Sequence, residues 1–434
     1  MVASGSTFTP QPTPSAVPPS ATPEEHSAAG CIADPTAVAE PWLIHRIIEK
    51  AGGPDGTRLG DFNGDGWDDL VVAFEGSGDI YLFLHPGTEL VREPWPAVMV
   101  GNEPRGEDAF AMDVDGDGAL DIISSHEGDT LAIYVHWGPQ DPEGLLDPAQ
   151  WETDLLPASL GVSWMFAVEM RVNNDEWPDI VAGGKSDYLR VTRGEVAWFE
   201  APPENRRDLG AWQHHEIDYA GWVMSLIPFD VNGDGLDDLV VTDRDSDAEH
   251  QGPRWLENPG DSVEQLWPST FFGDLAGTWP NFMDIGDLDN DGIEDFVIPL
   301  RNETTVLFVR RLNRGGVPEV ETYPIHWEAP SGKAPKGVAL MDVNCDGNLD
   351  IILSLEKAGG EVSGLGWLSQ SGNPYAPLWT WHDISGPQGA KYDFPLLYDV
   401  DGDGDQDIII TEEVDGLGVV WYENPAIAAL ESGE

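Results

Sequence analysis

From about residue 61 onward, short apolar runs alternate with acidic, glycine-rich segments at a steady spacing. Each acidic segment follows an apolar stretch, such as LIPF before Asp230 or GVALM before Asp342. Each leads into a short run rich in β-branched residues, such as LVVAF, LVVT or IIIT. Runs of this length bounded by Gly and Asp predict strands rather than helices. A third run, often ending in an aromatic and a turn, comes next: DIYLFLHPG, EVAWFEAPP, VVWYENP. Several units add a fourth, marked Trp-x-x-His-x-Ile at Trp212, His215 and Ile217 and again at Trp379, His382 and Ile384. One His per unit, on an outer strand and far from the others, reads as structural rather than as a metal ligand.

The acidic segments share the pattern D-x-[DN]-x-D-G-x-x-D. Intact copies begin at Asp61, Asp113, Asp230, Asp287, Asp342 and Asp399, and a damaged copy begins at Arg171. Successive starts lie 52, 58, 59, 57, 55 and 57 residues apart. Oxygen side chains at positions 1, 3, 5 and 9, with a main-chain carbonyl at position 7, can converge on one hard cation, and Ca2+ suits such a flexible oxygen cage. The ligand sets are Asp61, Asn63, Asp65 and Asp69; Asp113, Asp115, Asp117 and Asp121; Asp230, Asn232, Asp234 and Asp238; Asp287, Asp289, Asp291 and Asp295; Asp342, Asn344, Asp346 and Asp350; and Asp399, Asp401, Asp403 and Asp407. A hairpin turn without metal would explain one copy, but not six with the acids in phase. No Glu follows at position 12 and no helices flank the loops, so the likeness to an EF-hand is partial. About six structural Ca2+ are expected. In the damaged copy Arg171 replaces the first ligand and Glu176 the Gly. No Ca2+ is expected there, and Arg171 is a candidate partner for Asp175 or Asp179.

These loops resemble the FG-GAP/VCBS repeats of integrin α-subunit heads and many secreted bacterial proteins. The resemblance spans about residues 40–425 and implies a Ca2+-binding β-propeller, a fold that hosts adhesion, scaffolding and carbohydrate chemistry alike. Four short strands per period point the same way. The expected fold is all-β: a seven-bladed β-propeller with four antiparallel strands per blade. The last unit stops after its third strand near Pro425, while Trp42, His45 and Ile47 carry the fourth-strand signature ahead of the first loop. The N-terminal strand is therefore expected to complete the seventh blade and remove the open edges.

Three parts follow: a Pro/Ser/Thr-rich linker (1–39), expected to be disordered, the propeller (40–425) and a short tail (426–434). No signal segment is recognisable and no stretch is long enough to span a membrane. The formal charge is −58, from 79 acidic and 21 basic residues. Six Ca2+ would offset 12 of these charges and leave about −46, which excludes nucleic acid as a partner. An extracellular or cell-surface location fits weak Ca2+ sites. The two cysteines, Cys31 and Cys345, are a candidate disulfide.

Counting 14 residues on from each loop start reaches the opposite face and gives Glu75, Glu127, Lys185, Arg244, Arg301, Glu356 and Glu413, all charged. The third to fifth units carry the basic arc. Counting seven or eight back adds Trp164, Trp222 and Trp279 there, and the last two units add Lys333, Lys336, Lys391, Tyr392 and Asp393 in the same stretch. His126, Asp243, Lys357 and Glu412 adjoin the charged ring. Aromatic faces stack on sugar rings, and Arg and Lys pair with carboxylate or sulfate. The plain alternative is a ring of salt bridges, Glu127 with Lys185 and Arg301 with Glu356, and Trp side chains packed between blades.

Two functions and an architectural role remain open. One is binding of a glycan or a surface protein on this face. Another is a carbohydrate lyase or sugar dehydratase, with Lys185, Arg244 and Arg301 neutralising a carboxylate and His126, Tyr392 or Lys357 as base. The last is a cell-surface spacer.

Overall fold

The computed structural model describes residues 38, 41–48, 52–173, 175–186, 193–245, 250–328, 334–358 and 362–427. The central strand of every repeat starts on the last Asp of its loop: Asp69–Phe74, Asp121–His126, Asp179–Lys185, Asp238–Asp243, Asp295–Leu300, Asp350–Glu356 and Asp407–Glu412. Their β-branched runs are buried on both faces. Side chains alternate along a strand, so one such strand can serve two neighbours at once.

The described strands form five four-stranded antiparallel sheets and one sheet of eight. The eight-stranded sheet is two antiparallel runs of four. They join where Val320–Trp327 lies parallel to Leu378–Asp383 at His326↔Leu378 and Trp327↔Trp379. At the chain's ends, Leu43–Ile48 pairs antiparallel with Gly418–Glu423, with His45 opposite Trp421. The expected N-terminal strand is thus in place beside the last one.

Apolar clusters lie between successive repeats. Val71 and Ala73 meet Ala109 and Ile122; Ile123 and Val135 meet Ala182 and Trp164; Val181 and Val196 meet Leu239 and Val241. Val240 and Trp255 meet Phe296 and Ile298; Val297 and Phe308 meet Ile351 and Leu353; Ile352 and Trp367 meet Ile408 and Ile410. Finally Ile409 and Trp421 meet Leu70 and Val72, which brings the last repeat back to the first. The alternation is direct: Leu70 and Val72 face one neighbour, Val71 and Ala73 the other. At the centre Met165, Phe166, Met224 and Phe282 form a further cluster, with Trp222 and Phe394 against it.

The outer-strand histidines are structural, as expected. His45 stacks on Trp421 at 4.4 Å, His215 on Trp198 at 4.5 Å and His382 on Trp367 at 4.1 Å, each directly across the strand pair. Such cross-strand pairs stabilise a sheet by about 0.2–1 kcal/mol each.

The innermost strands share an irregularity. Their register slips between Pro54 and Thr57, Gly106 and Asp108, Trp164 and Phe166, Val223 and Ser225, and Pro335 and Val338. A bulge of this kind bends the strand and re-aims the extra side chain. Across the bulges, Ser125 Oγ donates to Met165 O at 3.1 Å, Thr242 Oγ1 to Asn281 O at 3.0 Å and Thr411 Oγ1 to Asp55 O at 3.1 Å, each reaching into the next repeat.

Ile47 is fully buried in the cluster that joins the chain's two ends. Ile47→Ala is expected to lower stability by about 2–5 kcal/mol. Removal of Leu43–Ile48 should leave Gly418–Glu423 as an open edge that self-associates. Thermal unfolding and light scattering check both, and unchanged behaviour of the truncated chain would contradict closure by this strand.

Candidate functional site

In an intact loop the first Asp organises the turn. Asp61 accepts backbone N–H groups from Gly64 (2.7 Å), Asp65 (3.1 Å) and Gly66 (3.0 Å), and Asp230 does the same with Gly233, Asp234 and Gly235. The position 6 glycines have φ between 84° and 101° (Gly66, Gly118, Gly235, Gly292, Gly347, Gly404), the region glycine favours. Glu176 of the damaged copy does not take positive φ. Carboxylate oxygens of Asp113, Asp115 and Asp121 lie within 4.8 Å of one another, as do those of Asp287, Asp289 and Asp291 and those of Asp399, Asp401 and Asp407.

The third position follows a charge rule. Where it is Asp, an arginine reaches it: Arg207 to Asp115 at 3.2 Å, Arg310 to Asp289 at 2.6 Å and Arg92 to Asp401 at 2.5 Å. Where it is Asn (Asn63, Asn232, Asn344), the extra carboxylate is missing and no arginine ion pair is found among the described residues. The sequence pattern shows the Asp/Asn choice but not its compensation.

The ninth Asp has two jobs. One carboxylate oxygen accepts an N–H from the end of the third strand or just beyond it, in every repeat. The donors are His85, Gly138, Ala201, Asn258, Arg311, Gln370 and Asn424, at 2.7–2.9 Å. The other oxygen accepts the N–H of loop position 2, as Asp69 does from Phe62 at 3.0 Å. In the Asp342 loop Val343 N–H turns to Met341 O instead, and Asp350 Oδ2 is buried without a hydrogen-bond partner; Asp399 Oδ1 is likewise orphaned. Burial, with neighbouring loop carboxylates adding to it, pushes these carboxyls up: Asp238 to about 6, Asp69 and Asp295 to about 7, Asp121 and Asp350 to about 8, Asp407 to about 9. Clustered, partly orphaned carboxylate oxygens in an all-oxygen donor set fit a hard divalent cation. The damaged loop keeps the clamp through Asp179, which is pushed up to about 7 by burial. Arg171 is exposed and makes no ion pair with Asp175 or Asp179 among the described residues.

On the opposite face both expected salt bridges are present. Lys185 pairs with Glu127, and Arg301 with Glu356 at 3.3 Å. Glu75 pairs with Arg105 at 2.5 Å, and Glu413 with Lys336 at 2.8 Å and with Lys391. Trp222 is half-buried between two cations: Lys185 Nζ and the Arg244 guanidinium each lie 4.4 Å from its ring. Arg244 also donates to Asn281 Oδ1 at 2.7 Å. Burial and the nearby Arg301 hold Arg244 down at about 10, and burial lowers Lys185. Trp279 is half-buried and Lys357 exposed.

Five expected face residues are placed elsewhere. Trp164 is fully buried between repeats and donates to Ser159 O, so it is packing. His126 is fully buried, hydrogen-bonded to Ser124 Oγ and Pro104 O and lowered to about 4 by burial. Tyr392 is buried against Tyr422, with its hydroxyl 2.7 Å from that of Tyr422. Neither is an available base. Asp243 is buried, accepting N–H groups of Gly221 and Trp222 and pairing with Arg254. Glu412 accepts N–H groups of Ala390, Val414 and Asp415; burial alone would raise its carboxyl, but these bonds hold it below its ordinary value. Each sits one residue off the exposed register or on the inward side of it. Lys333 and Cys31 lie outside the described residues, and Cys345 is disulfide-bonded.

The count of seven or eight residues back missed the centre by one or two. Six residues before each loop start stand Asp55, Glu107, Met165, Met224, Asn281, Lys336 and Asp393. In five of the repeats this is where the innermost strand slips register. Lys336 is buried between Asp393 and Glu413, 2.8 Å from each; burial alone would lower it, but these carboxylates and Asp55 push it up. Burial, and then the adjacent Asp393, raise Asp55 well above the ordinary range.

An all-β chain of four-stranded antiparallel sheets, with an acidic loop leading into each central strand, has the makeup of a β-propeller. Three segments match the family of FG-GAP-like repeats, residues 61–124, 171–241 and 230–298, and the chain carries these repeats. The second match begins on the damaged loop. Among solved structures, the fold is similar to that in the crystal structure of BBS1N in complex with ARL6DN, soaked with mercury. The TM-score is 0.50 and the identity 10%, over 90% of this chain and 98% of that one. That likeness speaks for the fold alone. No curated protein matches the sequence. No helix among the described residues is long and apolar enough to cross a membrane.

Two outcomes follow for the loops. Metal-free protein has ninth-position carboxyls whose folded pKa is raised, so their contribution to stability is full below the ordinary carboxylate range. It is lost as pH rises through about 6 to 9. Melting in chelator should therefore fall across that window, and Ca2+ should restore it most at the alkaline end; a flat profile would contradict the site. Asp179→Ala should cost about 1–3 kcal/mol for each N–H left unpaired, with Ca2+ uptake by calorimetry unchanged, whereas Asp230→Ala should lose one equivalent.

Proposed function

We propose that the protein is a seven-bladed, calcium-stabilised propeller of the cell surface or extracellular space that binds an acidic glycan on the face opposite its loops. The blade count rests on the run of apolar clusters from repeat to repeat and back to the first, with the eight-stranded sheet taken as two blades touching at their outer strands. The calcium reading rests on the fit of the loop carboxylates.

The observation that carries the ligand reading is Trp222 held between Lys185 and Arg244, with Arg301 nearby. The ring offers a stacking plane for a sugar. Burial and the nearby Arg301 disfavour the charged form of Arg244, so an anionic group there gains charge-assisted hydrogen bonds. Glu127 and Glu356 hold the cations in position meanwhile. The lyase reading is weaker, because His126 and Tyr392, two of its three bases, are buried in packing.

On an array that includes uronate and sulfated glycans, the wild type should retain acidic members. Arg244→Ala and Arg301→Ala should each lose about tenfold or more, as expected for a hydrogen bond to a charged group worth ~1.5–3 kcal/mol. Retention of no glycan, or equal retention by the variants, would favour a spacer or protein-binding role. New absorbance from unsaturated uronates would favour lysis.

A further inference from the structure

Between the first and second repeats, Ser124, His126 and His136 are fully buried side by side. They share a sheet face with Ile122, which packs on Val71 and Ala73 of the first repeat. Ser124 Oγ lies 2.8 Å from Nε2 of each imidazole. His126 Nδ1 lies 3.1 Å from Pro104 O, and His136 Nδ1 2.9 Å from Thr153 Oγ1. Every other repeat has an apolar residue at the place of Ser124: Val72, Ala182, Val241, Ile298, Leu353 and Ile410. The first repeat carries Val72, Phe74 and Phe83 at the three places.

The partners set the direction of each hydrogen bond. A carbonyl only accepts, so His126 donates from Nδ1 to Pro104 O and its neutral Nε2 is bare. Ser124 therefore donates to His126 Nε2 and accepts from His136 Nε2–H, and Thr153 donates to the bare Nδ1 of His136. In this neutral chain every ring nitrogen is satisfied, and an added proton breaks the order. On His126 Nε2 it leaves Ser124 facing two N–H donors with no acceptor for its own hydrogen. On His136 Nδ1 it turns the acceptor of Thr153 into a donor. Glu103 Oε2, buried without a hydrogen-bond partner, stands ready to receive that donor. A Cβ on Gly101 would meet His136 Nδ1 at 2.5 Å and Glu103 Oε2 at 2.7 Å, so the two atoms flank the same spot. The other titratable group facing the chain is Tyr134, whose ring meets His126 edge-on at 5.2 Å. From the first repeat, apolar Ala73 and Ile80 close around Gly106 beside His126.

We propose that this chain is a pH-sensitive latch between the first and second repeats, closed while both imidazoles are neutral and released in acid. Burial lowers His126 to about 4, and burial followed by the neighbouring His126 lowers His136 to about 3. Both folded values lie below the ordinary histidine value of about 6.5. The latch thus contributes fully above that pH and is lost as pH falls. Two protons taken up on opening shift the opening equilibrium about a hundredfold per pH unit between about 6 and 4. This acid loss runs opposite to the alkaline loss expected of the metal-free loops, and it does not depend on the glycan reading.

The test is backbone hydrogen exchange on the full chain with Ca2+ present, compared between neutral and mildly acid pH after correction for the intrinsic rate. In acid, opening of Ala97–Asn102, Asp121–His126 and Ala132–Trp137 should rise about a hundredfold or more relative to Asp350–Glu356. The repeat of Asp350–Glu356 also has an intact loop, so loss of Ca2+ would act on it equally. The triple variant Ser124→Val, His126→Phe, His136→Phe copies the first repeat and should abolish the difference. Wild-type protein with nitrogen-15 histidine gives a second reading that needs no variant: at neutral pH His126 should carry its proton on Nδ1 and His136 on Nε2. An equal acid response in both regions, a response that survives the triple variant, or the same tautomer at both histidines would overturn the proposal.

Discussion

The architecture depends on one carboxylate per repeat. The ninth loop Asp is the first residue of the central strand, and one of its oxygens holds the chain beyond the third strand. In most repeats its other oxygen holds the start of the loop. Three segments distant in sequence are thereby fixed around one group. Burial makes that group costly to ionise, and a cation in the loop would remove the cost. The damaged repeat is instructive: it has lost the first ligand and the turn glycine, yet Asp179 keeps the clamp. The clamp thus requires neither an Asp at the first loop position nor the turn glycine.

From this anchor the charge economy of the loops follows. Loops with a third-position Asp carry an extra negative charge, and Arg207, Arg310 and Arg92 answer it from neighbouring segments. Loops with Asn there do without. The opposite face is organised differently, by pairs between repeats such as Lys185 with Glu127 and Arg301 with Glu356. Their effect is to hold cations beside Trp222.

The repeating loop, the strand order and the role of the outer histidines were legible because each is local. A turn glycine, a β-branched run and a His opposite a Trp report on neighbours a few residues or one strand away. The face was legible only in part. A fixed count found the paired ring from Glu75 to Glu413, but it also took in Trp164, His126, Tyr392, Asp243 and Glu412, which turn inward. A one-residue shift on a strand exchanges its two faces, and the slips in the innermost strands break any constant count. The same slips hid Asp55 and Glu107, whose place six residues before each loop start is a regular signal once the bulge is known.

By itself, the sequence determined an all-β repeat protein with acidic loops, its strand pattern and the N-terminal strand that pairs with the last. These follow from side-chain period and turn chemistry, which act over short distances. Tertiary structure alone decided which charges are answered. It brought Arg310 to Asp289, and Lys336 between Asp393 and Glu413. The reason is physical. Compensation of a buried charge depends on distance and burial across repeats some fifty residues apart, and neither is encoded in any one repeat's pattern.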